Sequence, residues 1–304
     1  MYDMSTLSPS LRIGVLRGGP SSEYDISLQS GANVLKILSE THRPIDIFVS
    51  RDGKWHMQGV EKSPERILQN VDVVWNALHG TYGEGGVQEI LERYGMQYTG
   101  SDRFSSAIAM NKWMTKEHVI LAGVRTPIYV IVRENDSILE KAREIWAGIS
   151  HPLIIKPGAG GSGLGFYTVD SFSELLVALE SVLSQYGNAV VEEYIEGKNI
   201  SCFIIDNFRE QETYTFPLTG DLTKEEALTV EDVAKKIHKM LGLRHYSKSD
   251  FIVSPKRGVY FLETNTVPKL HDKSRLLESL KSVGVSVKDF LHHILKLAIY
   301  ETGI

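Results

Sequence analysis

The 304-residue chain is predicted to be a mixed α/β protein, with an open parallel α/β domain over residues 1–98, a smaller α/β lid over 99–190 and a further α/β domain over 191–304. Three observations predict this. Two strand candidates near the N-terminus each run into a glycine-rich turn and then a helix, the pattern of a parallel sheet. A third glycine-rich stretch, with a lysine ahead of it, lies between two strand candidates in the middle of the chain. Beyond it, short β-rich runs alternate with helical patterns to the C-terminus.

Leu11–Leu16 reads as an apolar strand that ends in Arg17-Gly18-Gly19-Pro20-Ser21-Ser22-Glu23, and Ile26, Val34, Leu35 and Leu38 mark the helix that follows. Val71–Trp75 is the second strand, His79–Gly86 its loop and Val87–Tyr94 its helix. Ser101 or Asp102 caps one helix carrying Ala107, Ile108, Met110, Met114 and Ile120. Thr126–Val132 is extended, Ser137–Ile149 helical, and Leu153–Lys156 and Gly165–Val169 are strands around the glycine loop. A helix over Phe172–Tyr186 leads to strands at Ala189–Tyr194 and Ile200–Ile205, joined by a turn at Glu196-Gly197-Lys198. After a polar excursion over Thr223–Ala227 come a helix at Val230–Leu241, strands at Ser249–Val253 and Val259–Glu263, and helices at Lys273–Val283 and Val287–Ile299.

Hydrophobic residues make up 42% and charged residues 23%, enough apolar material for a sizeable core. With 38 acidic against 33 basic side chains the net charge is −5, so no whole-surface field attracts a polyanion and nucleic acid is not expected. The lone Cys202 excludes an internal disulfide and a cysteine-rich zinc site, and fits a reducing compartment. No export signal and no apolar run of membrane-spanning length is read, which points to a cytoplasmic protein without membrane insertion.

The segment Ile154-Ile155-Lys156-Pro157-Gly158-Ala159-Gly160-Gly161-Ser162-Gly163-Leu164-Gly165 puts a lysine at a strand end before a donor-rich loop. Successive backbone N–H groups free of side chains can approach an anion, Lys156 can neutralise phosphate and Ser162 can donate a hydroxyl, so ATP is a sensible ligand. The lysine precedes the glycines, which excludes the GxxxxGK[ST] loop, and an ordinary hairpin turn is the competing reading. Downstream, Asp250, Glu263 and Asn265 offer hard oxygen ligands suited to Mg²⁺. Strict alternation along Tyr260–Asn265 puts Glu263 and Asn265 on one face, with Leu262 and Thr264 on the other. The His79–Glu84 loop lacks HExxH spacing and is expected to face substrate. No GxSxG elbow supports a Ser–His–acid hydrolase.

Taken together and in order, LRGGPSSEYDISLQSG, HGTYGEGGVQE, AMNKWMTK, IIKPGAGGSGLG, VVEEYIEG, SKSDFIV and FLETNTVPKL resemble the ATP-grasp carboxylate–amine ligases, and within them the D-alanine–D-alanine ligase family, over nearly the whole chain. The resemblance implies an ATP-grasp fold with an N-terminal substrate domain, a central lid and a C-terminal catalytic domain. It implies ATP with Mg²⁺, or Mn²⁺, as cofactors, D-alanine as substrate, and a homodimer. The activity it implies is attack of one D-alanine carboxylate on the γ-phosphate, then attack of a second D-alanine on the acyl phosphate, for peptidoglycan precursor synthesis. By the same resemblance Glu23 places the first substrate's ammonium, linked to Ser162; Lys112 and Lys156 hold ATP phosphates; Glu192 is the adenine-side acid and Tyr194-Ile195 the hinge at the base. Asp250, Glu263 and Asn265 match the metal triad, His79 a substrate-side electrostatic residue, and Ser274 the serine that receives the second carboxylate.

Several positions depart from the family pattern. Gly163 stands where a second loop serine is expected, and Lys248 where an arginine supports the tetrahedral intermediate, keeping charge but losing the planar fork. Asn199 replaces a ribose-binding acid. Lys269 replaces a glycine whose backbone N–H is a donor, and Arg275 is a compensating carboxylate binder. The stretch from Arg209 to Val230 is short for the family's tyrosine-bearing loop, leaving Tyr214 as the candidate substitute. These departures keep two alternatives open: a related ligase with a different amino-acid or hydroxy-acid acceptor, and a noncatalytic nucleotide-binding regulator.

Overall fold

The computed structural model describes residues 7–160, 165–271 and 273–300. Three sheets are built in chain order. The first contains β1 (Ile13–Gly18), β2 (Ile45–Val49), β3 (Trp55–Met57), β4 (Val60–Glu61), β5 (Val73–Asn76) and β6 (Gln97–Tyr98), in the order β4-β3-β2-β1-β5-β6. Its core β2-β1-β5-β6 is parallel, whereas β3 and β4 add as an antiparallel edge. The parallel expectation therefore holds for four strands, and the edge hairpin is an addition that the motif reading did not contain.

Side-chain alternation explains why this sheet carries helices on both faces. Ile13, Val15, Val73 and Trp75 pack with Val34 and Leu38 of α1 (Tyr24–Leu38), while Leu16, Val49 and Val74 pack with α2 (Pro64–Leu68) and with Val87 and Leu91 of α3 (Val87–Arg93). The first face also receives Phe290, Leu291, Ile294 and Leu295 from the last helix, α10 (Val287–Tyr300). A core that a linear division assigns to residues 1–98 is thus completed by the other end of the chain.

The expected single helix after Ser101 is two. Asp102 caps α4 (Arg103–Met110) through Ser105 N, and Asn111 then takes an extended conformation and caps α5 (Lys112–Leu121) through Met114 N. Asx side chains compete with the helix for backbone donors, and here that competition breaks it. Lys112 becomes the first residue of α5, and its N–H donates to Gly158 O in the glycine loop.

The second sheet, β7-β10-β8-β9, is antiparallel: β7 (Tyr129–Arg133), β8 (Leu153–Pro157), β9 (Tyr167–Val169) and β10 (Asn188–Glu193). It packs against α6 (Ile138–Gly148) and α7 (Phe172–Tyr186). α7 shows why such a helix forms: a Ser171/Glu174 capping box starts it, left-handed Gly187 ends it, and Leu175, Ala178, Leu179, Val182 and Leu183 line its buried face. The expected division between residues 190 and 191 falls inside β10, which pairs with β7 and β8.

The third sheet is β12-β11-β13-β14, with β11 (Lys198–Phe208), β12 (Gln211–Thr215), β13 (Tyr246–Ser254) and β14 (Gly258–Asn265), all antiparallel. One face packs α8 (Lys224–Met240) through Ile200, Cys202, Phe251, Val253 and Phe261. The polar excursion at Thr223–Ala227 is the start of that helix, closed by a Thr223/Glu226 capping box. The opposite face carries Ser201, Asp250 and Glu263 side by side, because Ser201 pairs with Asp250 and Asp250 with Glu263. α9 (Arg275–Ser282) follows the segment after β14.

Candidate active site

A cleft of about 370 Å³, in the size range of ligand sites, lies between the end of β8 and the polar face of the third sheet. Its charged lining is Lys112, Lys156, Lys248, Arg275, Asp250 and Glu263. Lys156 and Glu263, which are 107 residues apart in sequence, face the same space.

A register shift sets this face. Phe251 opposes Phe261 and Asp250 opposes Glu263, so β14 has one more residue than β13 between those pairs. Without that bulge Glu263 shares a face with Phe261, which lies fully buried in the core. The bulge turns Glu263 outward while Thr264 meets Ser249 inside, Oγ to Oγ1 at 3.0 Å. It also corrects the strict alternation: Leu262 lines the cleft beside Glu263.

Each acid in the cleft already holds partners. Asp250 takes Lys248 Nζ at 2.7 Å and Ser201 Oγ at 2.7 Å, and Arg275 donates to that Ser201 oxygen at 3.2 Å. Glu263 has Lys112 Nζ at 3.4 Å. Desolvation pushes the Glu263 carboxyl up, but Lys112, Lys156 and Lys248 outweigh it and hold it below its ordinary value. Asn265 accepts Val267 N–H, and lines a small cavity with Glu263, Glu84 and Glu23. Lys112 Nζ also donates to Gly160 O. Ser162 lies outside the described residues.

Glu192 is not a lining residue of this cleft. Its carboxylate is 2% exposed and sits between Lys156 Nζ at 2.9 Å and Lys116 Nζ at 3.1 Å. Lys116 is fully buried, also donates to Thr126 Oγ1 at 2.5 Å, and burial lowers it to about 8. The motif reading missed Lys116, although its spacing of four from Lys112 puts both on one face of α5. Tyr194 and Ile195 form the link from β10 to β11, the first exposed and the second buried. Asn199 lines the cleft.

In the loop after β5, His79 is buried, hydrogen-bonded to Ser30 Oγ at 3.1 Å, and lowered by desolvation to about 4. It is therefore neutral near pH 7. Glu84 is buried, and desolvation raises it to about 7; Oε2 accepts Thr266 N–H and Oγ1–H, whereas Oε1 has no hydrogen-bond partner among the described residues. Glu23, 4% exposed, has Lys269 Nζ 3.2 Å from its Oε1. Ser274 stands at the N-cap position of α9 with a β-type backbone but makes no capping bond, and its Oγ is buried without a hydrogen-bond partner among the described residues.

Two further groups of side chains lie away from the cleft. Tyr214 belongs to an aromatic cluster with Phe208 and Phe216 on the sheet edge and does not line the cleft. A Ser247–His238–Asp206 chain does exist, with Ser247 Oγ 2.8 Å from Nδ1 and Asp206 Oδ1 3.1 Å from Nε2. Ser247 is 1% and His238 3% exposed, so no acyl substrate reaches the hydroxyl and the chain is a core brace.

The chain is similar to known proteins over nearly its whole length. The model of the D-ala D-ala ligase N-terminus matches residues 12–67, and that of the D-ala D-ala ligase C-terminus matches 119–218 and 207–296. The D-alanine--D-alanine ligase of Thermotoga maritima is 32% identical over 319 residues, covering 97% of this chain and 99% of that protein. The structure of the D-alanine-D-alanine ligase from Coxiella burnetii superposes with a TM-score of 0.86 at 23% identity, covering 97% of this chain and 95% of that one. The VanG D-Ala:D-Ser ligase from Enterococcus faecalis superposes with a TM-score of 0.82 at 28% identity, covering 95% and 99%. With an ATP-grasp architecture, a cationic cleft over paired acids and near full-length similarity, the chain belongs to the D-alanine–D-alanine ligase family.

Proposed function

We propose that this protein is an ATP-dependent carboxylate–amine ligase that joins two D-alanine molecules into D-alanyl-D-alanine, releasing ADP and phosphate, for peptidoglycan precursor synthesis. The observation that carries the reading is the convergence of four cations on two adjacent carboxylates in one cleft. That arrangement suits a polyphosphate with a divalent cation. Asp250, Glu263 and Asn265 are the hard oxygen donors that would hold the ion, Mg²⁺ or Mn²⁺. When bound, it would offset charge on the phosphate oxygens.

Lys112 and Lys156 neutralise the phosphates, with Glu192 fixing Lys156 from behind. Glu23 holds the ammonium of the first D-alanine, so that its carboxylate can attack the γ-phosphorus and displace ADP. Lys248 and Arg275, together with the backbone N–H of Lys269, face the negative charge that develops as the second amine attacks the acyl carbon and phosphate leaves. The orphaned Ser274 hydroxyl, at the N-terminus of α9, receives the second carboxylate, where the helix dipole adds to the hydrogen bond. Ser162, the central sheet as a lid and a homodimeric assembly complete the reading.

The test is a product-resolved assay with ATP, Mg²⁺ and labelled D-alanine. Dipeptide in step with released phosphate is expected. ATP loss without dipeptide, or ATP binding without phosphate release, would overturn the reading, the latter in favour of a regulator. Lys269 at the altered glycine position favours one second reading, a different acceptor, which the same assay resolves with D-serine and D-lactate added.

A further inference from the structure

Glu23 is a carboxylate 4% exposed, in a cavity it shares with Glu84, Glu263 and Lys112. A carboxylate so placed needs a cation, because its desolvation is otherwise uncompensated. The structure provides Lys269, whose Nζ lies 3.2 Å from Glu23 Oε1. The backbone that delivers it is pinned to α1: Leu270 N donates to Ser30 Oγ at 3.3 Å, and Asn33 Nδ2 donates to Leu270 O at 2.7 Å. The lysine side chain is 29% exposed, so it keeps a path to water.

On the reading above, Glu23 is the receptor for the first substrate's α-ammonium, and the chain's own ammonium already stands there. We infer that Lys269 is a specificity-determining residue for the donor substrate: its ε-ammonium occupies the ammonium subsite at Glu23 and biases the donor away from 2-ammonio acids toward 2-hydroxy acids. A donor whose α-substituent is a neutral hydroxyl enters beside an intact Lys269–Glu23 pair. A donor with an α-ammonium has to displace Lys269 into water or place a second positive charge on the same carboxylate, where like charges repel. D-Alanine is thus accepted at the expense of a raised KM.

The experiment isolates donor activation by trapping the acyl phosphate with hydroxylamine, which attacks the acyl carbon, expels phosphate and leaves a hydroxamate. Hydroxamate formation from D-alanine and from D-lactate is compared in the parent and in Lys269→Met, which keeps the aliphatic stem and the backbone N–H; the KM for ATP serves as a control for folding. Lys269→Met should lower the KM for D-alanine about tenfold, raise the D-alanine to D-lactate ratio of kcat/KM by about the same factor, and leave the KM for ATP within about twofold. An unchanged or raised KM for D-alanine overturns the inference while leaving the ligase reading intact. A fall in kcat at constant KM also overturns it, since Lys269 would then act in the chemical step. If neither protein forms a hydroxamate from either acid, the ligase reading itself fails and the inference falls with it.

Discussion

Lys116 Nζ lies 3.1 Å from Glu192 Oε1, with 0% and 2% of the two side chains exposed, so an ion pair is sealed behind the cleft lysine Lys156. Glu192 holds both lysines, and removing either leaves a buried charge less compensated. Lys116→Met should cost about 3–5 kcal/mol in urea unfolding. It should also raise the KM for ATP more than that for D-alanine, because Glu192 then pulls on Lys156 alone. A loss below about 1 kcal/mol with both KM values unchanged would show that the pair neither stabilises nor positions.

His79 and Glu84 give stability opposite dependences on pH. His79 is lowered from 6.5 to about 4, so the unfolded chain binds the extra proton between those values; its contribution is complete above pH 6.5 and lost as pH falls through 4. Glu84 is raised from 4.5 to about 7, so the folded chain holds the extra proton; its contribution is complete below pH 4.5 and lost as pH rises through 7. Each amounts to roughly 3 kcal/mol. Denaturant unfolding from pH 4 to pH 8 should show the acid-side loss diminished in His79→Gln and the loss toward neutral pH diminished in Glu84→Gln. Curves parallel to the parent would exclude these assignments.

Ser201 Oγ donates to Asp250 Oδ1 at 2.7 Å, and on the proposed reading it thereby orients a metal ligand. Ser201→Ala should raise the Mg²⁺ concentration for half-maximal activity by roughly tenfold with little change in saturated kcat. Glu263→Gln, which removes a ligand charge, should abolish metal-dependent turnover. Isothermal titration of Mg²⁺ in the presence of ADP separates affinity from rate; identical titrations for Ser201→Ala and the parent count against the site.

A Cβ at Gly83 would lie 2.2 Å from both the carbonyl carbon and oxygen of Leu78, backbone atoms that cannot yield locally. The close approach lets Asn76 and Gln88 both donate to Gly83 O, closing the turn that presents Glu84. Gly83→Ala should destabilise by about 3 kcal/mol or more and reduce kcat as Glu84 moves off Thr266. A thermally unaltered, fully active Gly83→Ala protein would refute the turn's role.

Much of the site was legible because its chemistry is local. Lys156 ahead of glycines, Lys112 at a helix start, and Asp250 and Glu263 in β runs each carry a signal within a few residues, as do the capped, periodic helices such as α7. The motif order then identified the family. The missed elements have weak local signals: β12 is a short edge strand, and Thr223 looks polar in isolation although it opens a capping box.

By itself, then, the amino-acid sequence determined the α/β class, the periodic helices and strands, and the chemical groups available to bind phosphate and metal, since propensity, periodicity and charge act over a few neighbouring residues. The tertiary structure decided which of these groups meet and in what state. The bulge at Leu262 turned Glu263 away from the core, the break at Asn111 aimed Lys112 at the glycine loop, α10 closed a sheet at the opposite end of the chain, and Lys269 reached Glu23. Those outcomes depend on strand register, on packing between distant segments and on the loss of water around buried charge, energies that no short stretch of residues contains.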